Sequence, residues 1–501
     1  MTARRALRAL AAGGLLVASL GCAMGPDYER PDITAPENHR GFEGPAQAAS
    51  LADVPWWELF QDPALQDLIH QALMANFDLR IAAARVVQAR ARAGIAKSFL
   101  FPEVNFSGGY SDQQVSRLTE PPGDGGQADR KYGNYDLGFS LSWELDIWGR
   151  IRREREAAVA LFMGSEETRR GVVITLVADV ARAYFVLRTL DLELEISHST
   201  VAINDETVAF YRRRVAGGVS NQLELDQAIA NRARTAATTP ELERQIAIQE
   251  NLIHFLLGQP PGPIARGATL IDEQAPPAVP AGLPSALLDR RPDVREAEEL
   301  LVAANADIGA AKALFFPTIS LTGLFGGASH ELSDLGTADA RVWSVAAGLF
   351  QPIFQGGRVR RNYDAAKARY EEALAVYQRS AVNAFREVAD ALVTIEKLDG
   401  VRLERESGVE ALRDATELAR RRYNAGLSNY LEVLIADQYL FDAEILLART
   451  RGDQFDALVV LYRTLGGGWA PEVEGTPGAN PTDIAPPDTA PPEASQPAEP
   501  R

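Results

Sequence analysis

The side chains that could carry out chemistry are sparse in this sequence. Neither the metal-hydrolase motif HExxH, the nucleophile motif GxSxG nor the phosphate-binding motif GxxxxGK[ST] occurs in it. The many carboxylates fall mostly in helical stretches, where a charged side chain usually serves only solvation. The five histidines are scattered without metal-ligand spacing, as His39, His70, His198, His254 and His330. We therefore expect no enzymatic activity, no metal site and no bound cofactor.

The single cysteine, Cys22, stands directly after a stretch typical of an export signal. The basic segment MTARRALR precedes the apolar stretch ALAAGGLLVASLG, which is shorter than the roughly 20 residues of a membrane-spanning helix. We assign residues 1–21 to a signal peptide. The following cysteine resembles a bacterial lipobox, in which the thiol is acylated, although Ser19 stands where that pattern prefers leucine. The alternative is an incidental cysteine. Ala23, in place of aspartate, favours sorting to the outer membrane.

Composition and charge exclude some function classes. The formal net charge is −17, which argues against a nucleic-acid-binding protein because such a protein needs a basic face. After residue 21 no apolar run is long enough to cross a bilayer as a helix. Any membrane crossing by the remaining chain must therefore use strands.

The chain contains a tandem duplication. The segment GIAKSFLFPEVNFSGGY, residues 94–110, returns as GAAKALFFPTISLTGLF, residues 309–325, at an offset of 215. From Gly149 onward the offset is 208, and the AGGVSNQLE turn returns as NAGLSNYLE. The change of offset falls in the loops between strands, where length changes cost little.

Each repeat has the order helix, strand, loop, strand, very long helix, tight turn and helix. An extended N-terminal segment, residues 22–62, precedes the repeats, and a Pro-rich disordered tail, residues 469–501, follows them. Pro102 should end an opening helix of roughly residues 63–100, and Pro240 should break a later helix near residue 239. The first repeat is assigned to residues 63–285, with strands about 103–113 and 135–147 and helices about 150–216 and 222–258. The second is assigned to residues 286–468, with strands about 318–329 and 342–354 and helices about 357–425 and 429–466.

The strands alternate between apolar and polar residues. In YDLGFSLSWELD the apolar side chains occupy every second position from Tyr135 to Leu145, a pattern typical of a transmembrane β-strand. A soluble half-buried hairpin has the same period. Aromatic side chains near one end of the hairpins favour a membrane interface: Phe99, Phe101, Trp143, Trp148, Phe315, Phe316, Phe350 and Phe354.

The long helices and the strand count constrain the assembly. A helix from residue 150 to 216 would be about 100 Å long, and its apolar residues follow the spacing of a coiled-coil seam. Four strands cannot close a barrel, and open sheet edges are not tolerated in lipid. Copies must therefore pool their strands, and the residues alone leave twelve or sixteen strands open.

Several segments together resemble the outer-membrane factor family, the TolC-like lipoproteins of the NodT type. They are CAMGPDYERP, WWELFQDPALQDLIHQAL, LLDRRPDVREAE and the paired FFP-strand units, and the resemblance covers about residues 22–468. It implies an α plus transmembrane β-barrel fold: a homotrimer of duplicated protomers with four strands each, in which a twelve-stranded barrel continues into a long α-helical periplasmic tunnel.

The resemblance also points to candidate site residues at the two helical turns. Family acids near the start of the last tunnel helix face the periplasmic aperture, and the match is Glu432; a second falls on Ile435, with Asp437 two positions further. The first repeat offers Glu224 and Asp226. An alternative is that Glu432 and Glu224 only complete helix capping boxes with Asn429 and Asn221. Further candidates, for adaptor docking, are Arg421 and Arg422.

The predicted function is a passive outer-membrane duct for small molecules in a tripartite efflux system. It would be anchored in the outer membrane of a Gram-negative bacterium by lipid on Cys22. Its partners would be a periplasmic adaptor and an inner-membrane pump, with no nucleic acid. Two alternatives remain: a duct for type I protein secretion, and a lipid-anchored periplasmic scaffold that makes no pore.

Overall fold

The structure is a computed structural model that describes residues 23–40, 50–53, 55, 60–114, 131–267, 269, 270, 282 and 284–467. The predicted signal peptide, the predicted lipid acceptor Cys22 and the predicted tail lie outside these residues. The chain divides into two compact units, each treated by itself. The sheet unit includes the described residues of 23–33, 85–167 and 295–380, and the helical unit those of 34–84, 168–294 and 381–467.

Helices account for most of the described chain. The α-helices are α1 Pro63–Ala75, α2 Phe77–Ser98, α3 Arg150–Ala216, α4 Gln222–Leu256, α5 Leu287–Arg290, α6 Pro292–Ala313, α7 Arg358–Asn424 and α8 Tyr430–Thr464. The strands are β1 Glu103–Gln114, β2 Lys131–Leu145, β3 Thr318–Ser329 and β4 Arg341–Phe350. Among the described helices, none has the length and hydropathy that crossing a membrane would require.

The sheet unit is built on one antiparallel sheet in the order β1-β2-β3-β4. Strand β2 starts earlier than the predicted residue 135, because Lys131 pairs with Gln114 and the intervening residues continue the ladder. Strand β4 ends before the predicted residue 354. Pro352 has no N–H to donate to a ladder, and the strand stops two residues before it.

Aromatic rings line one face of the sheet and gather at one end of it. Phe106 and Phe139 lie opposite each other on β1 and β2, with ring centroids 5.1 Å apart. Beyond the strand end, the Trp148 indole stacks on Phe316 at 4.7 Å and donates its N–H to Pro317 O at 2.8 Å. Trp143 donates to Leu100 O at 3.1 Å. These contacts bring the Phe-Pro segments of both repeats to one end of the sheet.

The residues that directly follow Cys22 form an N-terminal strap, residues 23–33, in the sheet unit. Arg153 on α3 has a side chain only 5% exposed, and it donates to Met24 O at 3.1 Å and to Asp27 at 2.8 Å. Arg30 pairs with Glu298 on α6 at 3.0 Å. A buried guanidinium that binds both a carboxylate and a backbone carbonyl holds this segment firmly.

The predicted opening helix is divided into α1 and α2. Asn76 adopts an extended conformation, with φ −59° and ψ 135°, which ends α1. Its amide donates to Leu256 O at 2.8 Å and its side-chain oxygen accepts from Leu79 N at 3.0 Å. The asparagine thus caps α2 while it fastens the break to the end of α4.

The predicted break at Pro240 is wrong, since α4 continues through this residue. A proline inside a helix costs about 3 kcal/mol, and packing against α3 offsets this cost. The buried Ser197 hydroxyl on α3 forms hydrogen bonds with Thr238 Oγ1 at 2.8 Å and Thr239 Oγ1 at 3.1 Å, directly before the proline.

The core of the helical unit joins α1, α3, α4, α7 and α8. Phe185 on α3 stacks on Phe455 of α8 at 4.8 Å, so the long helix of the first repeat packs on the last helix of the second. Arg449 on α8 binds the buried Glu193 of α3 through two 2.9 Å hydrogen bonds. Helix α3 therefore lies between α4 and α8.

Candidate functional site

Two glycine turns connect α3 to α4 and α7 to α8, and they carry the predicted site residues. Gly218 and Gly426 occupy equivalent positions with φ of +71° and +72°, a left-handed conformation that favours glycine. The following asparagines cap the next helices. Asn221 Oδ1 accepts from Glu224 N at 2.9 Å, and Asn429 Oδ1 accepts from Glu432 N at 3.2 Å.

The two predicted glutamates have different environments. The Glu224 carboxylate accepts a hydrogen bond from Ser220 Oγ. The Glu432 carboxylate is half-exposed and lies 3.8 Å from Arg422 Nε, across the turn. The asparagine half of each capping box is therefore formed, while the carboxylate of Glu432 faces an arginine. Its role at an aperture stays a prediction.

Asp437 lies in a contact between α7 and α8 of the same chain. It is 8% exposed, and its carboxylate pairs with Arg420 at 2.8 Å. Burial raises the pKa of the Asp437 carboxyl, and Arg420 opposes this rise. This salt bridge, with one buried member, holds the two helices together near the turn. Asp437 is thus already engaged inside the protomer, and its predicted role at the aperture is untested.

The remaining predicted residues are on the surface of the helical unit. Asp226 is exposed and accepts from Gln222 at 2.8 Å, one turn earlier on α4. Arg421 is 72% exposed and pairs with Glu417 on its own helix. These residues are accessible to a partner in the isolated chain, and adaptor docking by Arg421 and Arg422 stays a prediction.

A cluster of three tyrosines under the turns is absent from the sequence-based prediction. Tyr211, Tyr423 and Tyr430 come from α3, α7 and α8, and the Tyr211 and Tyr430 rings are 4.5 Å apart. Tyr211 and Tyr430 are each 2% exposed. Burial, with a smaller effect of Asp437, raises the pKa of Tyr430 to about 12. The cluster joins the turns of both repeats, and aromatic residues flanking the second turn were the signal for it.

Comparison of the two repeats does not predict the tyrosine cluster, because no tyrosine of the cluster corresponds to another tyrosine in the other repeat. At the offset of 208, Tyr211 corresponds to Ala419 and Tyr423 to Val215. Both partners also pack in or against the cluster. The cluster is therefore an asymmetric junction built from symmetric helices.

In the part of the chain that the structure describes, the turns have no arrangement typical of catalysis. Among the described residues no group of three or more His, Cys, Asp or Glu side chains is placed to hold a metal ion. The carboxylates near the turns are exposed, accept a hydrogen bond or pair with arginine, as described above. Such a surface can attract or repel ions and partners.

A model of the outer membrane efflux protein family matches residues 68–259 and 283–467. The chain is 36% identical to the toluene efflux pump outer membrane protein TtgI of Pseudomonas putida, over 90% of this chain and 96% of that protein. It is 34% identical to the cation efflux system protein CusC of Escherichia coli, over 90% of this chain and 97% of that protein. The solved structure of the outer-membrane channel OprN matches with a TM-score of 0.83 and 33% identity, over 89% of this chain and all of that one.

Proposed function

The chain belongs to the outer membrane efflux protein family, and we propose that three copies of it form the passive exit duct of a tripartite efflux system. The predicted family, fold class and outer-membrane location are confirmed by these matches, as is the general function in efflux. We propose in addition that this chain forms a trimer and works with a periplasmic adaptor and an inner-membrane pump.

One observation carries the proposal: the sheet has two open edges and exposes apolar side chains. Within the described residues, the outer edges of β1 and β4 pair with no further strand. On β4, Trp343 and Val345 are 73% and 79% exposed, and on β1 Phe106 is 60% exposed. An open edge with apolar side chains is unstable in water and in lipid alike. Closure needs strands from other copies, and three copies supply twelve.

We propose that the duct does no covalent chemistry and uses no cofactor. Its relatives are named as efflux components, and the carboxylates of the turns are paired or solvated. Energy would then come from the inner-membrane pump, through an adaptor that binds near the turns. Small molecules are the proposed substrates, because the relatives are named for toluene and for cations.

We also propose that Cys22 carries a covalent lipid. The strap begins at Ala23 and is fastened to α3 by Arg153, so the acceptor directly precedes a held segment. The Cys22→Ser variant should lose incorporation of alkyne-labelled palmitate while the unmodified protein keeps it. Equal labelling of both proteins would contradict lipidation at this residue.

The experiment that tests the duct combines mass and conductance. The detergent-extracted protein should have the mass of three chains by light scattering, corrected for detergent, and should open ion-conducting channels in planar bilayers. A single copy that is stable without detergent and does not conduct would favour the scaffold.

A deletion strain that accumulates a fluorescent dye supports efflux. A strain that exports dyes normally but fails to secrete one protein would favour type I secretion.

A further inference from the structure

Helices α3 and α7, which follow β2 and β4, begin with equivalent clusters of three arginines. The offset of 208 that relates Gly149 to Gly357 relates the two clusters residue by residue. Their members are Arg150, Arg152 and Arg153 on α3, and Arg358, Arg360 and Arg361 on α7. Both clusters follow the end of the sheet at which the aromatic rings gather, because the chain leaves the sheet there.

Carboxylates of the first repeat neutralise its arginine cluster. Arg150 pairs with Glu144 of β2 at 2.9 Å and with Glu154 of α3 at 2.7 Å. Arg152 pairs with Asp146, directly after β2, at 3.1 Å. The third arginine of this cluster is the buried one that holds the strap. The cluster on α3 is therefore fully engaged within the chain.

The second repeat keeps the arginines but lacks these carboxylates. The residues at the positions of the three acids of β2 and α3 are Pro352, Phe354 and Asn362. Arg358 donates to the uncharged Gln355 Oε1 at 3.1 Å. Arg361, whose side chain is 85% exposed, lies 3.5 Å from Asp364 on the same helix. In the part of the chain that the structure describes, Arg358 and Arg360 are exposed and no carboxylate pairs with either of them.

Two uncovered apolar side chains precede the cluster on α7. Ile353 and Phe354, in the segment between β4 and α7, are 92% and 89% exposed. Phe350, the last residue of β4, is 67% exposed. Exposed apolar surface beside polar groups is typical of a site that contacts a partner or a membrane, and aromatic residues at a strand end are typical of a membrane interface. The segment thus combines apolar contact area with positive charge that the chain does not neutralise.

We propose that a basic-apolar patch, formed by Ile353, Phe354, Arg358, Arg360 and Arg361, binds the headgroup of an anionic membrane phospholipid. The guanidinium groups donate to the phosphate oxygens, for which the planar fork of arginine is well suited. The two apolar side chains enter the boundary between headgroups and acyl chains. The inference goes beyond the proposed duct, because it needs the outer-membrane location but no particular number of copies.

The occupant is a phospholipid because the patch has two kinds of contact surface. A free phosphate contacts only the arginines and leaves Ile353 and Phe354 uncovered. A carboxylate of another chain would likewise pair with the arginines alone, as carboxylates do in the first repeat. A phospholipid has a phosphate and acyl carbon in one molecule, and an anionic headgroup is attracted to clustered arginines.

Native mass spectrometry of the detergent-extracted, delipidated protein tests the patch. The protein is titrated with phosphatidylglycerol, which is anionic, and with phosphatidylcholine, which is zwitterionic, and the Kd of each lipid is measured per chain. The unmodified protein should bind phosphatidylglycerol more tightly. The triple variant Arg358→Gln/Arg360→Gln/Arg361→Gln should weaken phosphatidylglycerol binding about tenfold or more, and phosphatidylcholine binding far less. Ile353→Ser/Phe354→Ser should weaken the binding of both lipids.

Control variants have the same substitutions elsewhere in the chain. Arg379 is an exposed arginine of α7, about 27 Å along the helix from Arg361. Arg379→Gln should leave both Kd values unchanged, whereas Arg360→Gln should weaken phosphatidylglycerol binding about fivefold. Val219 and Leu427, which are 68% and 69% exposed in the glycine turns, give the apolar control Val219→Ser/Leu427→Ser. Glycerol phosphate, a soluble phosphate ester, should not displace the lipid at equal concentration.

Weaker phosphatidylglycerol binding by the triple variant, with unchanged binding by Arg379→Gln, would support the patch. Unchanged binding by the triple variant, in a protein that has the mass of three chains and conducts ions, would overturn the patch and leave the duct intact. Displacement of the lipid by glycerol phosphate would overturn it in favour of a free phosphate. A triple variant that falls to the mass of one chain but binds lipid normally would overturn it in favour of a carboxylate on a neighbouring copy.

Discussion

Asp437 on α8 binds Arg420 on α7 at 2.8 Å, and this pair distinguishes the second repeat from the first. At the equivalent positions the first repeat has Ile229 and Arg212. Asp437 is 8% exposed, while the Arg420 side chain is 40% exposed. One hairpin therefore has a buried charge whose stability depends on its partner, and the other hairpin does not.

The Arg420→Met variant should be less stable than the unmodified protein by about 2 kcal/mol at pH 7.5, because it leaves a buried carboxylate unpaired. The loss should be smaller than for a fully buried pair, because Arg420 is partly exposed to solvent. The pKa of Asp437 is already raised by burial, and losing Arg420 raises it further. The carboxyl is then protonated as the pH falls through this raised pKa, so the loss should shrink at pH 5. Thermal unfolding at both pH values measures the effect.

Arg212→Met is the matched control for this variant. It removes the exposed arginine at the position equivalent to Arg420, in a repeat that has Ile229 where the other has Asp437, and should change stability by less than about 0.5 kcal/mol at either pH. An equal loss for Arg420→Met at pH 7.5 and pH 5 would contradict a role for the buried charge.

Glu432→Gln should lower the cation selectivity of the channel. Three copies of one half-exposed glutamate at a constriction would attract cations, and glutamine removes the charge at nearly constant shape. The reversal potential in asymmetric potassium chloride should move toward zero. Glu410→Gln, an exposed acid elsewhere on α7, serves as the control and should leave the reversal potential unchanged. Identical potentials for all three proteins would leave Glu432 with no role in ion selection.

Tyr211→Ala should loosen the turns of both repeats. Its ring is 2% exposed and contacts Tyr430 and Tyr423, and loss of a buried aromatic side chain costs about 3 kcal/mol or more. Hydrogen exchange should become faster in residues 208–228 and in residues 419–433. The exposed Tyr439 gives the control variant Tyr439→Ala, for which exchange should stay unchanged. Faster exchange at only one turn would show that the tyrosines do not join them.

The sequence predicted the elements well wherever the two repeats supported each other. The Gly218 and Gly426 turns and the four strands lie close to their predicted positions, because proline, glycine and period-2 patterns are local signals. The prediction failed at Pro240, where α4 packs on α3 through hydrogen bonds of Ser197, which is remote in sequence. It also failed at Asn76, whose partner Leu256 is remote in sequence.

The site was predictable only in part for the same reason. Asn221 and Asn429 cap their helices as the spacing indicated. The pairing of Asp437 with Arg420 and the contact of Tyr211 with Tyr430 depend on how α7, α8 and α3 rotate against one another. No local pattern encodes that rotation. Cys22 lies outside the described residues, so the structure describes only the strap that follows this predicted lipid acceptor.

Two equivalent helix glycines, Gly309 and Gly94, differ in whether the strap lies against them. A Cβ on Gly309 of α6 would collide with Met24 O in the strap and lie 2.9 Å from Arg153 Cγ. Its equivalent in α2, Gly94, has no heavy atom within 4 Å of such a Cβ. Both glycines are inside helices, where alanine is intrinsically favoured by about 1 kcal/mol. The effects of Gly309→Ala and Gly94→Ala should therefore differ only because of the atoms that surround each new methyl group.

Gly309→Ala should loosen the strap around the exposed Glu29, so that endoproteinase Glu-C binds this segment more readily and cleaves there faster than in the unmodified protein. Gly94→Ala should leave the cleavage rate unchanged, because its methyl group meets open space. If the strap held only through Arg30 and Glu298, near the far end of the segment, both variants would be cleaved at the same rate. A faster rate for Gly309→Ala alone means that close backbone packing at Gly309 holds the residues directly after Cys22.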